Sequence, residues 1–325
     1  MFVADQFTNG TNRKEKTVLC SLGITSISML IPLIYYSFAT VLLAFTLLGI
    51  GNTVLQVSLN PLLLNVVAKG KFTSTLTLGQ FIKAISSTLG PVIASAMVGI
   101  WGNWHLIFVV YAITSFLSCL WLAMTPIKEM PNTQSSQNIG NIFSLFYNPK
   151  LLIAFSVILL IVGFEIGLMT AVPKYLSEQC GLPIEKGSLG CSIYFAARTL
   201  GTFLGTIILA RYSSGKFLTI NMILAIAVFA IFMLVSDTTI LLIALFLIGL
   251  TCANVFPIVF SQAIQSEPDK ANEISALMIM GVAGGAILPV IMGLVADNSS
   301  QLISLLIPFA ALIYILIVSI RQNNK

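Results

Sequence analysis

The sequence predicts an all-α membrane protein built from two helical bundles, and three observations predict it. Hydrophobic residues make up 57% of the 325 and charged residues only 8%, with a mean hydropathy of +0.99, where an ordinary soluble domain is about 25% charged. Apolar runs recur along the whole chain, each of about 18 residues or more and so able to cross the roughly 30 Å hydrocarbon core. The runs are continuous rather than alternating. That selects helices over a closed β-barrel, the other structure that satisfies its backbone in lipid.

Ten spans follow in order. The first two, 17–36 and 39–67, end at the basic loop that holds Lys69 and Lys71. The third, 73–100, is separated from the fourth, 104–126, by a Trp-Gly-Asn-Trp-His turn. There His105, the only histidine, reads as an interfacial residue, and Trp101, Trp104 and Trp121 near span ends read as an aromatic belt. The segment Lys128–Asn148 is the only long polar stretch and reads as a linker between bundles. The fifth span, 148–176, and the sixth, 187–210, have Lys174 and Lys186 between their centres; Arg211 and Lys216 precede the seventh, 217–236. The eighth, 238–264, and the ninth, 271–296, flank Lys270, and the tenth is 300–320. The expected division is 1–127, a linker at 128–147, and 148–325.

Charge placement gives the orientation. Twelve basic residues (Arg13, Lys14, Lys16, Lys69, Lys71, Lys128, Lys150, Arg211, Lys216, Lys270, Arg321, Lys325) fall on one side and two, Lys174 and Lys186, on the other. The positive-inside rule then makes the first side cytoplasmic, with the C-terminus there, in a cell inner (plasma) membrane. The net charge of +5 is scattered singly through short loops, which argues against nucleic acid as a partner. The five cysteines show no CxxC spacing and mostly sit in apolar runs, so neither a disulfide framework nor a metal site is expected. One histidine and no nucleophile elbow exclude a hydrolytic triad. No enzyme activity and no cofactor are expected.

The chain also repeats itself. LLGIGN (47–52) is similar to LIGLTC (247–252), STLGPVIAS (87–95) to GAILPVIMG (285–293), and the loop Ala4–Lys16 to Ala210–Lys216, at offsets of 200, 198 and near 205 residues. Parallel half-transporter repeats of this kind relate the two halves of one class of carrier. In the second half two helices precede the basic loop, whereas only Met1-Phe2-Val3 precede its counterpart in the first. The expectation is a twelve-helix fold of which the first two helices are missing. Residues 1–16 are polar, so they are not expected to be a signal peptide.

An ionisable side chain at the bilayer centre costs about 2.5–3.5 kcal/mol on insertion scales, so each is a functional candidate. Glu165 sits near the middle of its span, and Lys83 and Arg198 lie within theirs. A carboxyl buried there suits proton binding; the alternative is a salt bridge that merely locks helices, and Arg198 suits either a substrate hydroxyl or Glu165. Asn52, Gln56 and Asn60 recur every four residues, on one helix face. Their amides match sugar hydroxyls, or else make interhelical hydrogen bonds. Gln80, Lys83 and Ser87 share a face of the next span. Asn254, in a Cys-Ala-Asn-Val-Phe-Pro break, is expected to line a cavity, since Pro257 frees backbone groups. Gly281, Gly284, Gly285 and Gly293 read as helix packing.

Six ordered motifs then carry a resemblance. GIGNTVLQVSLNPLL (49–63), LGQFIKAISSTLGP (78–91), GFEIGLMTAVPKYL (163–176), AARTLGTFLG (196–205), GLTCANVFPIVFSQAI (249–264) and GGAILPVIMGLVAD (284–297) resemble the fourth, fifth, seventh, eighth, tenth and eleventh helices of the fucose–galactose–glucose:proton symporters. This is a family of the major facilitator superfamily. The resemblance implies the major facilitator fold with two pseudo-symmetric bundles, ten of twelve helices present, and monomeric symport of a monosaccharide with a proton. Taken with the residue reading, substrate contact is expected of Gln56, Asn60, Gln80, Lys83 and Asn254, and coupling of Glu165 and Arg198. Asp5 and Arg13, in a loop that resembles the superfamily's cytoplasmic signature, and Arg211 would form a cytoplasmic gate. Three features depart from the family: Gln56 stands where the family has a coupling glutamate, Lys83 where it has an asparagine, and the first helix with its second coupling carboxylate is missing. Efflux of small amphiphiles, suggested by Gly90-Pro91, and a non-transporting remnant are the competing readings.

Overall fold

The computed structural model describes residues 13–68, 70–103, 105–125, 143–181 and 184–323. They form helices α1 (Arg13–Ile34), α2 (Phe38–Val66), α3 (Phe72–Trp101), α4 (Leu106–Met124), α5 (Pro149–Cys180), α6 (Ile184–Leu209) and α7 (Ser214–Leu234). The chain continues through α8 (Thr238–Cys252), α9 (Val255–Ser266), α10 (Ala271–Met280), α11 (Gly284–Asn298), α12 (Gln301–Ser304) and α13 (Leu306–Asn323). Among the described residues nine stretches are long and apolar enough to cross a membrane. In these α8 with α9, α10 with α11, and α12 with α13 each form one crossing. The helix α3, 30 residues long, is outside that set and corresponds to the third of the expected spans.

Helix ends follow local chemistry. Ser37 caps α2 through a capping box with Thr40, and Asn148 accepts from the Lys150 N–H to cap α5, with Pro149 in the first turn. Gly181 ends α5 at φ +65°, a left-handed conformation that glycine adopts without a Cβ clash. The eighth expected span is broken at Ala253–Asn254. Pro257 therefore falls in the first turn of α9, where its missing N–H breaks no intrahelical bond.

Two compact units result. The first takes residues 1–67 and 89–138. In it α1 packs on α2 and α4, over a small core of Met29, Phe108 and Ala112, and the Ser26 hydroxyl donates to the Ala112 carbonyl at 3.0 Å. The second takes residues 68–88 and 139–325. The expected linker, 128–147, lies mostly outside the described residues.

The grouping departs from chain order at the start of α3, which joins the second unit. The reason is visible in its contacts: the Ser74 hydroxyl donates to the Thr206 carbonyl at 2.7 Å, Thr73 and Ser261 hydroxyls meet at 2.5 Å, and the Phe81 and Phe203 rings lie 5.3 Å apart.

Helix α5 is central to the second unit, packing on α6, α9, α11 and α13. Lipid tails are as apolar as leucine, so close van der Waals fit rather than water exclusion holds such helices together. Small residues supply the fit. A Cβ added at Gly163 would meet the Gly284 carbonyl at 2.8 Å, and one at Gly284 would collide with the Leu159 carbonyl. Gly281 and Gly285 also face α5 closely, whereas Gly293 has nothing within 4 Å and serves no such packing. Aromatic rings fill the space behind: Phe164 lies 5.6 Å from Phe229, Phe229 stacks on Phe309 at 6.0 Å, and the Tyr175 hydroxyl donates to the Phe232 carbonyl.

Candidate functional site

The glycine face of α5 also decides where its carboxylate points. Gly163, Phe164, Gly167 and Leu168 are buried, with Gly163 and Gly167 set against Leu288 and Met292 of α11. Glu165, about halfway along the helix, is turned off that face by the 100° step between residues. It meets Arg198, mid-way along α6: Arg198 Nη1 lies 2.7 Å from Glu165 Oε1, with the side chains 21% and 14% exposed. Such a charge-assisted hydrogen bond is what lets two ions leave water together.

The helix α6 is held in register by its own small residues. A Cβ at Gly201 would meet the Leu250 carbonyl at 2.7 Å, and one at Gly249 the Tyr194 carbonyl at 2.5 Å. This close approach of α6 and α8 brings Tyr194, one turn before Arg198, and Cys252 into electrostatic range of Glu165 and Arg198. Both are buried. The sequence reading missed them, although the Tyr194–Arg198 spacing of four residues puts the two on one face.

Lys83 comes from α3. The residue as a whole is exposed, and its charge interacts electrostatically with both Arg198 and Glu165. It makes no ion pair among the described residues, where the Arg198–Glu165 and Lys270–Glu267 pairs are the ones formed. Gln80, half-buried, lies one turn earlier on α3.

Asn52, Gln56 and Asn60 belong to α2, in the first unit, and do share a face: the Gln56 amide donates to Asn52 Oδ1 at 3.3 Å. Gln56 and Asn60 are half-buried. Asn254 departs from expectation. It is 2% exposed, its amide donates to the Gly201 carbonyl at 2.8 Å, and its side chain packs on Gly205. The helix break turns it into the α6 interface and not toward a cavity, leaving Oδ1 without a hydrogen-bond partner among the described residues. Arg211 is exposed just beyond α6. Asp5 lies outside the described residues, and of Arg13 only its place at the start of α1 is described.

A cavity of about 430 Å³ opens near Arg211, lined by Gly70, Thr73, Tyr212, Ser214, Gln262 and Gln265 among others. Its walls carry hydroxyls and amides, several already bonded to one another: Gln265 donates to Ser261 and to Thr73, and Gln262 to Ser214.

The family model for the Major Facilitator Superfamily matches residues 3–289. A protein of Helicobacter pylori called a putative glucose/galactose transporter is 24% identical over 307 residues, covering 87% of this chain and 74% of its own length. A glucose/galactose transporter of Brucella abortus is 24% identical over 313 residues, covering 91% and 73%. Among solved structures, the outward conformation of the transporter FucP superposes with a TM-score of 0.81 at 17% identity, over 94% of this chain and 82% of FucP. The proton:xylose symporter XylE superposes with a TM-score of 0.69 at 13% identity, over 94% and 79%.

Proposed function

Since the chain belongs to the Major Facilitator Superfamily, a family of membrane transporters, we propose that it is a secondary active carrier that moves a monosaccharide together with a proton by alternating access. The single observation that carries this reading is the ion pair of Glu165 and Arg198 held mid-helix between α5 and α6. A carboxylate in that position is expensive to bury, and a stable bundle needs no such group. The names of the Helicobacter and Brucella relatives and of the proton-coupled xylose carrier favour a sugar and a proton as the cargo.

In this reading Glu165 takes up a proton when its bond to Arg198 opens, and Arg198 is then free to turn its donors to substrate oxygens. Guanidinium carries five N–H donors, so one group serves both partners in turn. Gln80 and Lys83 on α3 contact the sugar, and Gln56 and Asn60 on α2 present amides for its hydroxyls. Asn254 positions α6 and does not touch the substrate. Asp5, Arg13 and Arg211 form a cytoplasmic gate in a monomer placed in the inner membrane, with bundles divided at 128–147 and the C-terminus cytoplasmic.

Uptake of radiolabelled fucose, galactose, glucose and N-acetylglucosamine into proteoliposomes tests the proposal. Accumulation of at least one, enhanced by an inward proton gradient, is expected. Gradient-independent flux of dyes and no flux of any sugar would instead support efflux of amphiphiles.

A further inference from the structure

The cavity beside Arg211 is a different place from the ion pair. Leu209 in its wall stands eleven residues beyond Arg198 on α6, which at 1.5 Å per residue is roughly 16 Å along the helix. Its described wall belongs wholly to the second unit, at the end of α3 and α6 that carries Lys71 and Arg211, the side read above as cytoplasmic. A volume of about 430 Å³ falls within the range of about 300–1,000 Å³ usual for small-ligand pockets.

The wall chemistry is unlike that of most such pockets, which are lined mainly by apolar side chains. Gln262, Gln265 and Ser266 recur at i, i+3 and i+4 on α9 and so share one face. Thr73 from the first turn of α3 and Ser214 from the first turn of α7 add hydroxyls. Gln265 is held firmly by Ser261 at 2.5 Å and reaches Thr73 only at 3.5 Å. Gln262 reaches Ser214 at 3.4 Å. Both long contacts lie beyond the usual range of about 2.7–3.2 Å for an N–H donor, so a ligand hydroxyl replaces them at little cost. Gln262 makes no other hydrogen bond among the described residues, which leaves its carbonyl and second amide hydrogen for a ligand. Tyr212, 71% exposed, adds an aromatic face with a polar tip.

We propose that this cavity is a second sugar site, separate from the ion pair, which takes a neutral monosaccharide from the cytoplasmic side. Hydroxyls and carboxamides each donate and accept, so a polyhydroxylated ring matches the wall group for group. The Tyr212 ring covers the C–H face of the sugar. An apolar amphiphile would leave the same amides and hydroxyls buried without partners. The proposal rests on the sugar-carrier reading for its expectation that sugar reaches this side, and it adds a site to the one where transport takes place.

Equilibrium dialysis of the protein in detergent against radiolabelled glucose and galactose tests this. Two molecules of at least one sugar are expected per chain, with different affinities. Gln262→Ala should remove the second molecule and leave the first bound with unchanged affinity, which also reports that the variant is folded. Tyr212→Ala, a change at an exposed side chain, should weaken the second site about five-fold or more. One molecule per chain in the unaltered protein overturns the proposal and leaves the carrier reading standing. So does a second site that both variants retain, or the loss of both molecules together from a variant whose melting temperature is unchanged. Tighter binding of glucose 6-phosphate than of glucose at the second site overturns the neutral class. If neither sugar binds at all, the carrier reading loses its support and the proposal falls with it.

Discussion

Arg198 reaches Glu165 across the α5–α6 interface at 2.7 Å, and neither side chain is more than 21% exposed. The two residues are 33 positions apart in the chain, and both stand near the middle of their helices. An ion pair so placed couples the energetics of protonation to the packing of two helices. Five outcomes follow from it and from the contacts around it.

Glu165→Gln keeps the shape of the side chain and removes the ability to carry a proton. Proton-driven accumulation should fall about ten-fold or more, while exchange of labelled for unlabelled substrate across the membrane continues. Parallel gradient-driven uptake and counterflow in proteoliposomes measure the two. Accumulation that survives the change would make Glu165 structural.

Arg198→Met leaves a buried carboxylate without its partner, which should cost about 3–5 kcal/mol of stability. Joining it to Glu165→Met should recover most of that loss, because two well-packed apolar side chains replace a pair whose burial was itself costly. Thermal unfolding of the single and double variants in detergent checks this. A double variant no more stable than Arg198→Met would show that the pair is not coupled.

Asn254→Ala removes the bond to the Gly201 carbonyl and opens space beside Gly205. A stability loss of roughly 0.5–1.5 kcal/mol with an unchanged substrate affinity is expected, as the side chain is 2% exposed. Melting temperature and KM together decide it. A shifted KM with an unchanged melting temperature would make Asn254 a substrate contact.

Gly284→Ala sets a Cβ against the Leu159 backbone carbonyl, which cannot rotate away as a side chain would. Overpacking of this kind costs about 1–3 kcal/mol or more. Gly293→Ala is the control, with nothing within 4 Å of the added atom, and should be neutral or slightly stabilising. Equal melting temperatures for the two variants would remove the packing role assigned to Gly284.

Thr73→Val and Ser261→Ala each break the hydroxyl contact that ties the start of α3 to α9. Hydrogen bonds between membrane helices average about 0.6 kcal/mol, with a maximum near 1.7. A double-mutant cycle on thermal unfolding should return a coupling energy in that range, and a value of zero would show the contact to be incidental.

Much of the fold was written locally. Hydropathy over a span-length window is a property of neighbouring residues and of bilayer thickness alone. The spans predicted at 39–67 and 73–100 accordingly appear as α2 and α3 within a residue at each end. The interruption near Asn254 was equally legible, because Pro257 carries its helix-breaking geometry with it.

The charges inside the spans were visible for the same local reason: Glu165, Lys83 and Arg198 stand out in a chain with 8% charged residues. Tertiary structure alone decided which cation pairs with which carboxylate, that Asn254 turns into α6, and that Gly281 and Gly284 pack on α5 while Gly293 does not. The helices are apolar nearly all round, so their sequences do not fix the rotation of each about its own axis. That rotation is set by where small residues let two backbones approach. It places side chains distant in the chain within hydrogen-bond reach of one another, as it does for Glu165 and Arg198.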